Sequence, residues 1–191
     1  MSTPGRPKGE FRNAQHGGCL VSARQATLPT DSVQIVRADY GNPAHGRALV
    51  EMLDAYARDP AGGGHGLGDD VRAHLVDALA ARPQAFSVLA FDGAQVVGLV
   101  NCIEGFSTFA CKPLVNVHDV AVAASHRGQR IAERMLALTE EIARERGACK
   151  MTLEVLTGNA SASRLYERIG FASYQLDPAL GTAVFLQKWL R

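Results

Sequence analysis

The sequence predicts one mixed α/β domain, a largely antiparallel sheet flanked by helices, and three observations predict it. Strand-like and helix-like runs are interleaved from Ser32 onward. Two apolar runs, 86–91 and 96–104, flank Asp92-Gly93, a pair suited to a tight antiparallel hairpin. A strongly amphipathic helix carries Ile131, Met135, Leu138 and Ile142 along one face, with Gly147 where a C-cap glycine belongs.

Residues 1–30 are rich in Gly, Pro and polar groups and poor in bulky apolar ones. They are expected to be disordered or loosely attached, with the folded domain over 31–191. Val33 and Ile35 alternate with polar neighbours up to Arg37, a short first strand. Ala48, Leu49, Met52, Leu53 and Tyr56 then recur at helical spacing until Asp59-Pro60 stops the helix. The glycine-rich stretch 62–68 reads as a flexible connector. Val71, Leu75 and Leu79 mark a second helix that ends before Pro83. After the hairpin, 114–122 is apolar on both faces in places, as a central strand would be. The long helix follows, and 151–156 is the next strand. Asn159 suits the N-cap of a last helix bearing Ala162, Leu165, Tyr166 and Ile169, closed by Gly170. Two final strands are predicted at 172–175 and 183–188.

Composition narrows the function. A net charge of +1 supplies no field to draw in nucleic acid or an acidic membrane surface. No apolar run approaches the roughly 18–20 residues that span a bilayer. No signal-peptide pattern opens the chain, so the cytoplasm is the default location. Cys19, Cys102, Cys111 and Cys149 show neither CxxC pairing nor a His at ligand spacing, and the histidines form no HxxxH cluster. Free thiols and no bound metal are expected.

The unit from Val115 to Arg146 is the most informative. A strand runs into His126-Arg127-Gly128-Gln129-Arg130, where the long helix begins. The first N–H groups of a helix lack intrahelical partners, and its dipole draws anions to that end. Gly128 permits close approach of a phosphate, and Arg127 adds a charged donor. On these grounds alone an anion site and an ordinary helix start are equally good readings. A Walker loop is excluded, because GxxxxGK[ST] is missing.

Residues 115–171 resemble the cofactor-binding region of the GNAT superfamily of acyl-CoA N-acyltransferases. Arg127, Gly128, Gln129, Arg130, Ile131 and Ala132 match its [R/Q]-x-x-G-x-[G/A] signature, and Asn159 followed by Tyr166-Glu167-Arg168-Ile169-Gly170-Phe171 matches N-x(6)-Y-x-x-x-G-F. Arg130 departs from the pattern, standing where the family usually has glycine. The resemblance implies a splay between the fourth and fifth strands and acetyl-CoA as co-substrate. It also implies pantetheine pairing along Val120, Ala121 and Val122, pyrophosphate held by residues 127–132, and Asn159 against the cofactor arm. Tyr166 becomes the candidate general acid for the departing thiolate, although its helix neighbours leave a core role open.

The acceptor implied is an amine, which must lose a proton before attack. His118 and Asp119, on the strand entering the cleft, and Glu104, on the preceding one, are the candidates to take that proton or hold the ammonium. A merely structural role stays open for each. The stretch from Phe106 through Phe109 to Val120 is similar to the polyamine and thialysine acetyltransferase branch, except that His118-Asp119 replaces an acidic pair. Phe106 is thus either an acceptor contact or a core or interface residue. A small-molecule amine, polyamine or lysine-like, is the favoured acceptor. A protein N-terminus or lysine and a degenerate acyl-CoA-binding module are the alternatives. A homodimer fits the family habit.

Overall fold

The computed structural model describes residues 32–174, 177, 179, 181 and 183–190, and the expectations for residues 1–30 and Gln175 lie outside that set. Nine elements follow in order: β1 (Val33–Arg37), α1 (Pro43–Arg58), α2 (Asp69–Ala80), β2 (Ala85–Asp92), β3 (Gln95–Ser107), β4 (Lys112–Val122), α3 (Ile131–Glu145), β5 (Met151–Leu153) and α4 (Ala160–Arg168). The strands form one sheet in the order β1-β2-β3-β4-β5. Neighbours are antiparallel except β4 and β5, which are parallel.

Helices cover both faces. On one, Met135 and Ile142 of α3 pack against Val88, Val100, Val115 and Val117. On the other, Leu49 and Met52 of α1 pack against Leu89, Leu99 and Ala121. This double covering explains why β2 is buried from Ala85 to Ala90 without alternation. Gly98 lets α3 lie close, since a Cβ there would meet the Met135 side chain at 2.8 Å and Ala90 Cβ at 3.1 Å.

The helix ends follow local chemistry. Asn42 caps α1 by accepting from the Ala44 N–H, with Pro43 opening the helix. Gly93, at φ 59°, makes the tight β2–β3 turn. Gly147, at φ 72°, closes α3 in a Schellman motif: its N–H donates to the Arg144 carbonyl, and the Ala148 N–H to that of Ala143.

The C-terminal expectations are corrected. The strand predicted over 151–156 stops at Leu153. Neither 172–174 nor 183–188 forms a strand. Residues such as Val184, Phe185 and Leu186 have the right propensity, yet they are at least 75% exposed. A strand needs an edge to pair with, and β5 offers only 3 residues of it.

Candidate active site

The sheet parts where β4 bulges. Val115↔Met151, Asn116↔Thr152 and Val117↔Leu153 join β4 to β5, after which β5 ends and β4 continues to Val122. On the other side, the register steps from Cys102↔Val117 to Asn101↔Asp119, leaving His118 as the extra residue of a β-bulge. Among the described residues, no strand lies beside the edge of β4 that faced β5 past this point. Its backbone donors and acceptors are therefore open to a ligand, save the Val122 carbonyl, which accepts from Arg127 Nε. A cleft of about 1300 Å³ opens here, walled by the end of α1, Val117, His118 and residues 120–124 of β4 and its loop, the start of α3, and α4.

One end of the cleft suits an anion. A short 3-10 turn at Ala124–His126 leads to Arg127, Gly128 at φ 79° and Arg130 at φ 59°, ψ 18°, the left-handed N-cap of α3. Position 130 is therefore left-handed, and this geometry is why glycine suits it. The Arg130 side chain makes no capping bond. The first N–H groups of α3 thus point into the cleft end uncapped, flanked by Arg130, Arg164 and Arg168. Arg168 is itself paired with Glu133 at 2.8 Å. This cradle fits a pyrophosphate.

Arg127 is engaged elsewhere. Its Nε donates to the Val122 carbonyl at 3.2 Å, and its Nη2 to Asp59 Oδ2 at 3.0 Å. Asp59 in turn anchors the connector after α1, its carbonyl accepting from the N–H groups of Gly62 and Gly64. Spacing in the sequence does not reveal this long-range pair.

The other motif positions Tyr166. Asn159 caps α4, its Oδ1 accepting from the Ala162 N–H at 3.1 Å, so its Nδ2 is the group left to offer a ligand. Gly170, at φ 98°, ends α4 in a second Schellman motif, with Gly170 N–H donating to Glu167 O and Phe171 N–H to Tyr166 O. That turn lays the Phe171 ring edge-on against Tyr166, centroids 5.9 Å apart. The Y-x-x-x-G-F spacing is thus a device for holding this phenol in place. Burial pushes the Tyr166 pKa above its ordinary 10.0, and the facing Tyr56 adds to the effect. Tyr56, which the helical pattern assigned only to a packing face, lines the same cleft. Its pKa is also raised, by burial first and then by Asp119 and Asp59.

The remaining predicted residues separate. His118, Val120, Ala121 and Val122 line the cleft with Ile131, Ala132 and Asn159. Gln129 is exposed in the loop. Asp119 is not itself among the cleft-lining residues; it turns to the α1 face behind them, where Asn101 Nδ2 donates to its Oδ2 at 3.0 Å. Glu104 is not among the cleft-lining residues; Arg146 takes it up at 3.0 Å while stacking over Phe86. Phe106 is 59% exposed near the far end of the β3–β4 hairpin, away from the cleft, because β3 runs well past the bulge. Burial pushes the Cys102 thiol up to about 12, which makes it a poor nucleophile. Among the described residues no helix is long and apolar enough to cross a membrane, and no group of three or more His, Cys, Asp or Glu is placed to hold a metal.

Comparison with known proteins agrees with this geometry. The profile of the acetyltransferase (GNAT) family matches residues 49–171. A streptothricin acetyltransferase from Streptomyces lavendulae is 39% identical over 92 residues, 46% of this chain and 49% of that one. N-alpha-acetyltransferase 30 from Schizosaccharomyces pombe is 29% identical over 90 residues, 47% and 59% of the two chains. The chain thus spans about half the length of these curated relatives. Among solved structures, the aminoglycoside acetyltransferase meta-AAC0020 from an uncultured soil sample shares the fold with a TM-score of 0.69 at 17% identity, covering 85% of this chain and 99% of that one. A profile match running from α1 through the Gly170-Phe171 turn takes in every wall of the cleft, and the chain belongs to the acetyltransferase (GNAT) family.

Proposed function

We propose that the protein transfers the acetyl group of acetyl-CoA directly to a primary amine of a small molecule. The observation that carries this reading is the parting of β4 from β5 beside the uncapped start of α3. It sets an unpaired strand edge and an anion cradle along one cleft. Acetyl-CoA supplies the activated thioester when bound.

The chain's own groups divide the remaining work. Backbone N–H groups of residues 128–132 hold the pyrophosphate, the edge at Val120, Ala121 and Val122 pairs with the pantetheine arm, and the Asn159 amide contacts it from the other side. Tyr166 keeps its proton at neutral pH, since its pKa is raised, and delivers it to the leaving thiolate. His118, exposed at the bulge, takes the proton of the incoming ammonium, and Asp119 holds that ammonium in place. The likeness to streptothricin acetyltransferase supports a small polar amine. Among such amines we favour a polyamine or lysine-like one, for which Glu51 and Glu154 on the cleft walls are candidate partners. The likeness to N-alpha-acetyltransferase 30 favours a second reading, in which the acceptor is a protein N-terminus.

Calorimetry with acetyl-CoA followed by thiol release over polyamines, lysine analogues, aminoglycosides and peptide N-termini tests the assignment. Turnover restricted to small amines is expected. Tight acetyl-CoA binding without turnover on any amine would identify a binding module instead, and turnover on peptides alone would identify the second reading.

A further inference from the structure

A file of polar side chains crosses the α1 face of the sheet among apolar neighbours. The Tyr40 hydroxyl lies 2.9 Å from Ser87 Oγ, Ser87 Oγ lies 2.6 Å from Asn101 Oδ1, and Asn101 Nδ2 lies 3.0 Å from Asp119 Oδ2. The members come from the β1–α1 loop, β2, β3 and β4. Ser87 is fully buried and Asn101 is 7% exposed, in a layer otherwise made by Leu89, Leu99 and Ala121.

Donor and acceptor inventory fixes the direction of the file. The Asn101 amide donates to Asp119, so its carbonyl faces Ser87 and accepts the Ser87 proton. Ser87 Oγ must then accept from Tyr40, and every bond runs toward Asp119. Replacing all of them with apolar residues of the same shape can be nearly neutral for stability, so packing alone does not call for polar groups in this layer. The file ends one residue past the His118 bulge, at a carboxylate whose charge is felt by Tyr56 on the cleft wall.

We propose that Asn101, Ser87 and Tyr40 are positioning residues that fix the Asp119 carboxylate as the anionic end of the acceptor subsite. Asn101 holds one Asp119 oxygen and stops the carboxylate from rotating, which leaves the second oxygen to attract the ammonium. The inference rests on the amine-transfer reading and deepens it: the acceptor presents its charge to the α1 side of the cleft.

Steady-state kinetics on the best amine of the panel test it, using Asp119→Asn, Asn101→Leu, Ser87→Ala and Tyr40→Phe. Asp119→Asn and Asn101→Leu are expected to raise the amine KM by about tenfold or more, the worth of a charge-assisted hydrogen bond. The two together should be no worse than either alone, because they break one unit. Ser87→Ala and Tyr40→Phe should raise the amine KM by about two- to fivefold, as loss of a neutral hydrogen bond does. The KM for acetyl-CoA should stay unchanged in all four variants, a split that general loss of packing would not give. An unchanged amine KM in a folded Asn101→Leu overturns the inference and leaves amine transfer standing. Should Asn101→Leu not fold, unchanged amine KM in both Ser87→Ala and Tyr40→Phe overturns it equally. Absence of turnover by the wild type on every amine overturns the transfer reading, and the inference with it.

Discussion

Arg130 is held in the left-handed region at φ 59°, two residues after Gly128 at φ 79°. That conformation costs an L-residue about 1–2 kcal/mol. Replacing it by glycine removes the cost, while the freer unfolded chain of glycine takes back about 0.4–1 kcal/mol. Arg130→Gly should therefore stabilise the free protein by between about zero and about 1.6 kcal/mol. For a chain of 191 residues this raises Tm by at most about 3–6 °C. The same change removes a guanidinium from the phosphate end of the cleft. Acetyl-CoA should then bind a few-fold more weakly, with a shallower salt dependence. Stability and affinity thus move in opposite directions. Thermal melts of the free protein and calorimetry with acetyl-CoA at low and high salt measure both. Gly128→Ala serves as the control: no atom lies within 4 Å of the added Cβ, so its loss, about 1–2 kcal/mol less the same unfolded-chain contribution, is purely conformational. An Arg130→Gly protein that melts lower than wild type would refute the strain argument. Unchanged acetyl-CoA affinity would refute the role given to the guanidinium.

Tyr166→Phe is expected to lower kcat by about 10²–10⁴-fold, the usual worth of general acid catalysis, and a full kcat across the pH range would sink that role. Because the folded pKa lies above 10.0, the phenol contributes its proton and its share of stability below that pH, and both are lost as pH rises through the raised value. The alkaline limb of kcat should accordingly lie above pH 10 in wild type and vanish in Tyr166→Phe. Asp59→Asn should release Arg127 and tighten acetyl-CoA binding by up to about fivefold, the ceiling for an exposed ion pair; weaker binding by calorimetry would contradict this. Gly170→Ala, at φ 98°, should cost about 1–2 kcal/mol and lower kcat, since the turn that seats Phe171 against Tyr166 is strained. Melting and kinetics on the same preparation check it, and a loss of stability with unchanged kcat would separate the turn from catalysis.

Much of the fold was legible because the relevant signals are local. Asn42-Pro43, Gly93, Gly147 and Gly170 each mark an element end through their own backbone chemistry. The motif around Gly128 and the Asn159 to Phe171 stretch were legible for the same reason. The bulge left a trace that periodicity alone could have caught. Val115 and Val117 face α3 and so do Val120 and Val122, a change of parity that a regular strand does not make. Other features depend on residues far apart in the chain. Asp59 meets Arg127, and Tyr40, Ser87, Asn101 and Asp119 meet across three strands, only after the sheet has assembled. Glu104 looked available as a lone acid on a strand until Arg146 arrived from the end of α3. The missing terminal strands illustrate the same limit. Propensity at 183–188 says what those residues tolerate and is silent on whether an edge awaits them.

The junction of β4 and β5 consists of three register pairs. Everything that bears Tyr166 lies on the far side of those pairs, in β5 and α4, whereas the bulge and the anion cradle belong to the near side. The cleft is therefore a pair of jaws joined by this short hinge, by the Arg168–Glu133 ion pair and by the packing of Leu165 and Ile169 on the core, and the proton delivery proposed for Tyr166 would depend on the angle between them. Local opening should reach the far jaw at lower free energy than it reaches β1–β4, so amides in α4 and β5 should exchange with solvent well before those of β2 and β3. Equal protection across both jaws would show a hinge stiffer than three pairs imply. A loose far jaw makes temperature a control on turnover: warming would reduce the fraction of molecules holding the phenol in place while the body of the sheet stayed folded.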